Sequence, residues 1–215
     1  MKIRCSQLGA FLTRGRGKND EFGLTAIDVI RQVKIGNKYG RWPVFANKYV
    51  TKGTVNELEA LNMINRVLGT SFVRDVLNYQ NEFITGSPDV LSGDLVLDIK
   101  NSFDIWTFDK AELTKDYEAQ LRGYMWLTGA TKAKLVYCLT DAPDWMIEAE
   151  KRKLYYGMGG DNADMAAYQK AAEQVERNMR FGDIPEADRV KCFDIERDEQ
   201  WEIDLAERII KAREI

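Results

Sequence analysis

Residues 83–101, FITGSPDVLSGDLVLDIKN, decide how this chain is read. The stretch sets Asp89 behind Ser87-Pro88, turns at Ser92-Gly93, and runs up an apolar segment, Leu95-Val96-Leu97, into Asp98-Ile99-Lys100. Strand alternation puts Val96, Asp98 and Lys100 on one face and Leu97 and Ile99 on the other. Pro88 suits a strand edge or bulge and not a central ladder. Two strands are thus expected to deliver two carboxylates and an ammonium to one point. Taken alone, the same residues also describe a turn aspartate and a surface ion pair. Against that, Asp98 interrupts an apolar strand, where an unpaired charge costs on the order of several kcal/mol.

The neighbouring segments sharpen the reading. Upstream, residues 55–68 have the period of a helix that Gly69 ends. Glu57, Leu61, Ile64 and Leu68 share its core stripe, while Glu59, Asn62, Met63 and Arg66 fall nearer solvent. A carboxylate on an apolar stripe needs a cation or a metal. Glu57 also has the spacing of a capping box with Thr54, which would use it locally. Downstream, residues 115–128 form a second helix ended by Gly129. Gln120 and Tyr124 lie one turn apart on it, on a face with Tyr117 and Leu127. Such an amide either serves a site or closes a local hydrogen bond.

Residues 72–77 and 82–85 read as strands, 134–139 as the strand that completes a sheet with the hairpin, and 102–110 as an aromatic loop or short helix. Residues 24–33 read as a helix, and 36–45 as a turn-rich connection. Beyond Asp141, helices are expected from Ala142-Pro143 to about residue 156, over 163–180 and over 199–213, with a strand at 190–195. The organisation expected is a core over 1–141 with a basic N-terminal region. A mostly helical extension over 142–215 packs on it to give a single folding unit.

Composition removes whole classes of chemistry. The 215 residues are 45% hydrophobic and 30% charged, as in a globular protein with one sizeable core. There is no histidine, which excludes Ser-His-Asp and Cys-His hydrolases and HExxH zinc proteases. The three cysteines, Cys5, Cys138 and Cys192, are too scattered for a disulfide framework or a CxxC zinc site. No apolar run is long enough for a membrane span or a secretory signal, so a cytoplasmic protein is expected. Net charge is −3, yet residues 1–52 carry eleven Lys/Arg against three Asp/Glu. Arg14, Arg16 and Lys18 cluster there in a glycine-containing loop. A basic quarter on an acidic body suits phosphate contact by one face, although solvated surface charge clusters by chance as well.

Carboxylates with a lysine suit phosphodiester hydrolysis. That reaction needs an activated water, neutralisation of charge on the phosphorus and stabilisation of the leaving oxygen. Asp89 and Asp98 can hold hard divalent ions, Glu57 adds a third carboxylate, and the Ile99 carbonyl is a further candidate ligand. Lys100 would orient the water or meet the phosphate, and neighbouring cations would lower its pKa.

The order Glu57, Ser87-Pro88-Asp89, Asp98-Ile99-Lys100 and Gln120-x-x-x-Tyr124 resembles the PD-(D/E)XK nuclease superfamily, in particular its phage lambda-type exonuclease and RecB-like (YqaJ-like) branch. The opening IRCSQLG and the phrase NKYVTKGTVNELEA, with Lys52-Gly53 ahead of the glutamate, resemble that branch too. The resemblance spans roughly residues 3–139. It implies a restriction-endonuclease-like α/β core, a mixed central sheet flanked by helices. It implies Mg²⁺, with Mn²⁺ substituting, held by Glu57, Asp89, Asp98 and the Ile99 carbonyl, with Lys100 as catalytic lysine. Gln120 and Tyr124 would support the site and the substrate strand. Ser87 and Ser6 match serines that bind a terminal 5′-phosphate in lambda-type enzymes, with Arg4 in place of an upstream arginine that is missing here. The four cysteines of the iron-sulfur members are also missing, so no cluster is expected. The activity implied is a DNA exonuclease of phage-type recombination or repair, phage-encoded and acting in the bacterial host cell. An endonuclease of the same fold and a non-catalytic DNA-binding or assembly protein are the alternatives. Implied partners are DNA, a single-strand annealing or recombinase protein, and copies of the chain itself in a trimer.

Overall fold

The computed structural model describes residues 1–17, 21–43 and 48–215, with backbone alone for 48–50. Lys18 of the cationic loop and the end of the 36–45 connection lie outside the described residues. The chain runs β1 (Ile3–Arg4), α1 (Leu8–Phe11), α2 (Leu24–Tyr39), α3 (Lys48–Val55), α4 (Glu57–Leu68), β2 (Tyr79–Gln80), β3 (Ile84–Gly86), β4 (Val90–Ser92), β5 (Leu95–Asn101) and α5 (Ile105–Asp109). It continues through α6 (Lys115–Thr128), β6 (Lys132–Cys138), α7 (Asp144–Gly157), α8 (Met165–Arg177), β7 (Val190–Glu196) and α9 (Glu199–Glu214).

The central sheet has four strands in the order β4-β5-β6-β7. β4 and β5 are the expected hairpin, with Val90 opposite Leu97 and Ser92 opposite Leu95. Gly93 takes φ +58° at its turn, a conformation that side chains rarely adopt. β6 lies parallel to β5, and α5 and α6 make the crossover that a parallel pair requires. A second small sheet, β1-β3-β2, takes the 82–85 expectation as β3, displaced to Ile84–Gly86.

Alternation along the strands separates two apolar layers. Val96, Ala133, Leu135 and Tyr137 pack with α1, α2, α6 and α9 on one face. Leu97, Val136 and Cys138 pack under Ala60, Leu61 and Ile64 of α4 on the other. α6 is pinned closely to the N-terminal segment. A Cβ on Gly9 would meet Asp116 Cα at 2.5 Å, and one on Gly123 would meet Leu8 Cδ1 at 2.6 Å and Cys5 Sγ at 2.9 Å.

Residues 142–215 are built into this core. β7 pairs antiparallel with β6 from Glu196↔Lys132 to Val190↔Cys138, and Leu205, Ile209 and Ala212 of α9 are buried in the main apolar layer. Trp201 packs against the same layer, as its spacing with Leu205 and Ile209 requires.

Three local expectations are corrected. Residues 72–77 form no strand: Val73 and Val76 are exposed, and the segment touches β4 through Asp75 N–H donating to Asp89 O at 2.8 Å. Its β-favouring side chains lack a ladder partner, and strand propensity without one decides nothing. The helix expected over 55–68 is interrupted at Asn56, whose side-chain amide donates to Thr140 Oγ1 at 2.8 Å and Asp141 O at 2.5 Å. Thr54 therefore belongs to α3 and does not cap α4. Finally, Met63 is buried and Leu68 is 39% exposed, the reverse of the sides that helical spacing assigns them.

Candidate active site

Asp98 sits in the middle of β5 and is 3% exposed. As the alternation requires, Lys100 projects the same way: its Nζ lies 2.7 Å from Asp98 Oδ2 and over the Tyr117 ring at 4.9 Å. Gln120 Nε2, from α6, donates to Asp98 Oδ1 at 2.9 Å and to Tyr124 Oη at 2.8 Å. The amide is thus committed both to the site and to a local bond, the two uses that its position allowed.

Asp89 approaches from the start of β4. Its Oδ2 accepts from Ile99 N–H at 2.6 Å, which caps β5 where β4 has not yet begun. A strand residue points its N–H and C=O to the same side. The Ile99 carbonyl therefore faces the Asp89 side of the sheet, past the end of the β4 ladder. The Ile99 side chain, Glu57, Leu61, Arg74 and Asp89 border a cavity of about 160 Å³.

Glu57 lies in the first turn of α4, on the Leu97 face of the sheet, whereas Asp98 projects from the Val96 face. The two flank the sheet edge at Asp89. Glu57 Oε2 is paired with the Arg74 guanidinium at 2.8 Å, a partner that the sequence pattern did not single out. Arg74 lies in the 72–77 stretch that reads as a strand, and only the fold brings it to Glu57.

The electrostatics are those of a site crowded with negative charge. Burial above all, then the charge of Asp98, push the Asp89 carboxyl up to about 7, against the pull of the Ile99 N–H and Lys100. Burial alone would lower Lys100, but Asp98, Tyr117 and Asp89 outweigh it and hold the ammonium above its ordinary value. This corrects the expectation of a lowered lysine, which rested on neighbouring cations; the neighbours here are carboxylates. Burial, followed by Asp98, also raises the Tyr124 hydroxyl.

The residues fit a divalent ion, with a restriction. Among the described residues no three acidic or thiol side chains converge into a cage. Asp98 Oδ2, however, is buried with the Lys100 ammonium 2.7 Å away, and burial together with the charge of Asp98 makes Asp89 resist ionisation, so that a further cation at this point would be favoured. The donors at hand are oxygens: Asp98, Asp89 and the Ile99 carbonyl, with Glu57 behind Arg74. Mg²⁺ is satisfied by one or two carboxylates with retained waters.

A second cleft, of about 560 Å³, opens on the other side of Tyr124. Lys2, Arg4, Ser6, Asn78, Ser87 and Trp42 line it, so Arg4, Ser6 and Ser87 do meet. Ser87 Oγ lies 3.2 Å from Asn78 Oδ1, and the Arg4 guanidinium stacks over Trp42 at 4.8 Å. A Cβ on Gly86 would meet Cys5 Sγ and the Tyr124 ring at 2.7 Å, which keeps this wall tight. Of the cationic loop, Arg14 and Arg16 do not line the cleft. Arg14 lines a different one with Lys115, Arg122 and Trp201, and Arg16 is exposed.

Fold and sheet-edge geometry together define a mixed α/β class, with acidic residues gathered where the edge strand of the central sheet stops. Among solved structures the chain is similar to a phage-related exonuclease from Haemophilus somnus 129PT, with a TM-score of 0.79 at 23% identity, covering 100% of this chain and 92% of that one. It is also similar to an alkaline exonuclease, LHK-Exo, from Laribacter hongkongensis, with a TM-score of 0.66 at 15% identity, covering 98% and 85%. The dAMP complex of LHK-Exo gives a TM-score of 0.64 at 15% identity over the same shares. At these identities the likeness establishes the fold. No protein-family model and no curated protein matches the chain. Among the described residues no helix is long and apolar enough to cross a membrane.

Proposed function

We propose that this protein is a Mg²⁺-dependent deoxyribonuclease, an exonuclease that hydrolyses DNA from its ends in phage-type recombination or repair. The observation that carries the reading is Asp98, buried in a core strand, bound at once by Lys100 and Gln120, with Asp89 entering from the adjoining strand end. A buried carboxylate with a dedicated ammonium and amide is costly for stability alone and is useful for chemistry. The likeness to proteins described as exonucleases supports it, and one of these binds dAMP, a mononucleotide of the kind that stepwise hydrolysis releases.

Asp89, Asp98 and the Ile99 carbonyl would hold the ion, with Glu57 as a further ligand. A bound divalent cation supplies an acidified water and offsets charge on the phosphate. Lys100, kept cationic by its carboxylate neighbours, donates to the attacking water or to a non-bridging phosphate oxygen. Gln120 fixes the rotamer of Asp98 through Oδ1 and leaves Oδ2 to the Lys100 ammonium. Tyr124, bonded to Gln120 and lining the second cleft, joins the two regions. In that cleft Ser6 and Ser87 hydroxyls, with Arg4 and Lys2, suit a terminal 5′-phosphate, since hydroxyl and guanidinium donors match its oxygens. The test is Asp98→Ala, which should abolish Mg²⁺-dependent hydrolysis while DNA binding persists. Hydrolysis that survives the change would refute the assignment.

A further inference from the structure

The Glu57–Arg74 pair is unusual for where it stands. Arg74 belongs to an irregular segment, yet that segment is stitched in place. Asp75 N–H donates to Asp89 O at 2.8 Å, and the Asp75 carboxylate takes the Leu77 N–H at 2.9 Å and the Tyr79 hydroxyl at 2.8 Å. The Arg74 backbone is thereby fixed beside the first residue of the hairpin, and its guanidinium crosses the cavity bordered by Glu57, Asp89 and Ile99 to reach Glu57 Oε2. The side chain is 57% exposed, against 21% for Glu57. A pair this exposed at one end is weak and readily exchanged.

We propose that Arg74 is a positioning residue that serves as an internal counter-cation. Without metal it occupies the place where a divalent ion would meet Glu57. When the ion takes Glu57, the guanidinium is released to a phosphate of the DNA backbone. This rests on the nuclease reading and adds to it a coupling between metal and substrate. Two physical points carry it. Glu57 and Asp89 border one small cavity, and the guanidinium is the cation the structure supplies to Glu57 there. A guanidinium on a fixed backbone, planar and weakly hydrated, is also well suited to phosphate once its carboxylate is taken. Glu57 at the first turn of α4 stays favourable as an anion in either state, because the helix N-terminus supports negative charge. The exchange therefore leaves no carboxylate stranded.

The test uses the full-length protein and Mn²⁺ alone, followed by titration calorimetry, with wild type, Arg74→Gln and Arg74→Lys. Arg74 is largely solvent-facing, so both variants should fold, and Arg74→Lys retains the charge. Arg74→Gln should bind Mn²⁺ roughly fivefold more tightly, the worth of one partly exposed ion pair, with Arg74→Lys between it and wild type. Binding of a short DNA duplex supplies the second readout. In Ca²⁺ the salt dependence for Arg74→Gln should be shallower than wild type by about one unit, whereas in chelator the two should coincide. Equal Mn²⁺ affinities in wild type and Arg74→Gln would overturn the role of Arg74 and leave the nuclease reading intact. No Mn²⁺ binding by either protein would overturn both.

Discussion

Gln120 Nε2 stands 2.9 Å from Asp98 Oδ1 and 2.8 Å from Tyr124 Oη, so one amide holds a buried carboxylate against the helix that crosses behind it. Groups that orient a ligating or catalytic carboxylate are typically worth about 10–100-fold in metal affinity or activity. Gln120→Leu should therefore lower the turnover by about that factor, and should also cost about 1–3 kcal/mol of stability, because a buried carboxylate loses its donor. Steady-state kinetics beside a thermal melt separates the two; an unchanged rate would show that Asp98 needs no support from α6.

Lys52 is the clearest structural counterpart. It is fully buried, donates to Ser102 O at 2.9 Å and Phe103 O at 3.0 Å, and lies over the Phe103 and Phe181 rings. Burial lowers its pKa to about 8, against Asp141 and Asp104. It ties α3 to the end of the strand that carries Asp98 and Lys100. Lys52→Met should cost about 2–4 kcal/mol, because the two carbonyls lose their donor, and urea denaturation measures it.

Asp89 makes the metal-free protein sensitive to pH. Its carboxyl holds a proton up to about 7 in the fold, whereas an unfolded aspartate releases it near about 3.9. Between those values the native chain binds more protons than the unfolded chain. The contribution of this group to stability therefore falls as pH rises through the window, and levels off above about 7. Asp89→Asn removes it. In chelator, the stability of Asp89→Asn relative to wild type should rise from about pH 4 to about pH 7, and Mg²⁺ should reduce that gap by stabilising the ionised wild-type carboxylate. A pH-independent difference between the two proteins would contradict the assignment.

Ser87 tests the second cleft. With Arg4 on the adjoining β1 and Ser6 just after it, loss of its hydroxyl should remove one charge-assisted bond to a terminal phosphate. Ser87→Ala should slow degradation of 5′-phosphorylated duplex by about tenfold and leave the rate on 5′-hydroxyl ends nearly unchanged. Equal slowing on both ends would argue that Ser87 serves the wall of the cleft and not the phosphate.

Much of this was legible in the sequence because it rests on local period. The β4–β5 hairpin, the shared projection of Asp98 and Lys100, and α6 with its cap at Gly129 follow from alternation, helical spacing and a glycine stop. What escaped depends on partners distant in sequence. Asn56 breaks a helix because Thr140 and Asp141 claim its amide, and residues 72–77 stay out of the sheets. Glu57 was singled out correctly as needing a partner, but Arg74 was hidden in a presumed strand. Likewise the charge count suggested that the N-terminal quarter acts as one surface, whereas Arg4 and Arg14 line different clefts.

On the proposed function, Asp89, Asp98 and Lys100 cut DNA from its ends with a divalent ion. The most direct measurement incubates the wild-type protein with 5′-phosphorylated linear duplex and with covalently closed circular duplex, in Mg²⁺ and in chelator. The linear DNA should be consumed to mononucleotides in Mg²⁺ and spared in chelator, and the closed circle should survive both. Linear DNA left intact with Mg²⁺ and with Mn²⁺ would contradict the nuclease itself, and a digested circle would contradict its dependence on ends.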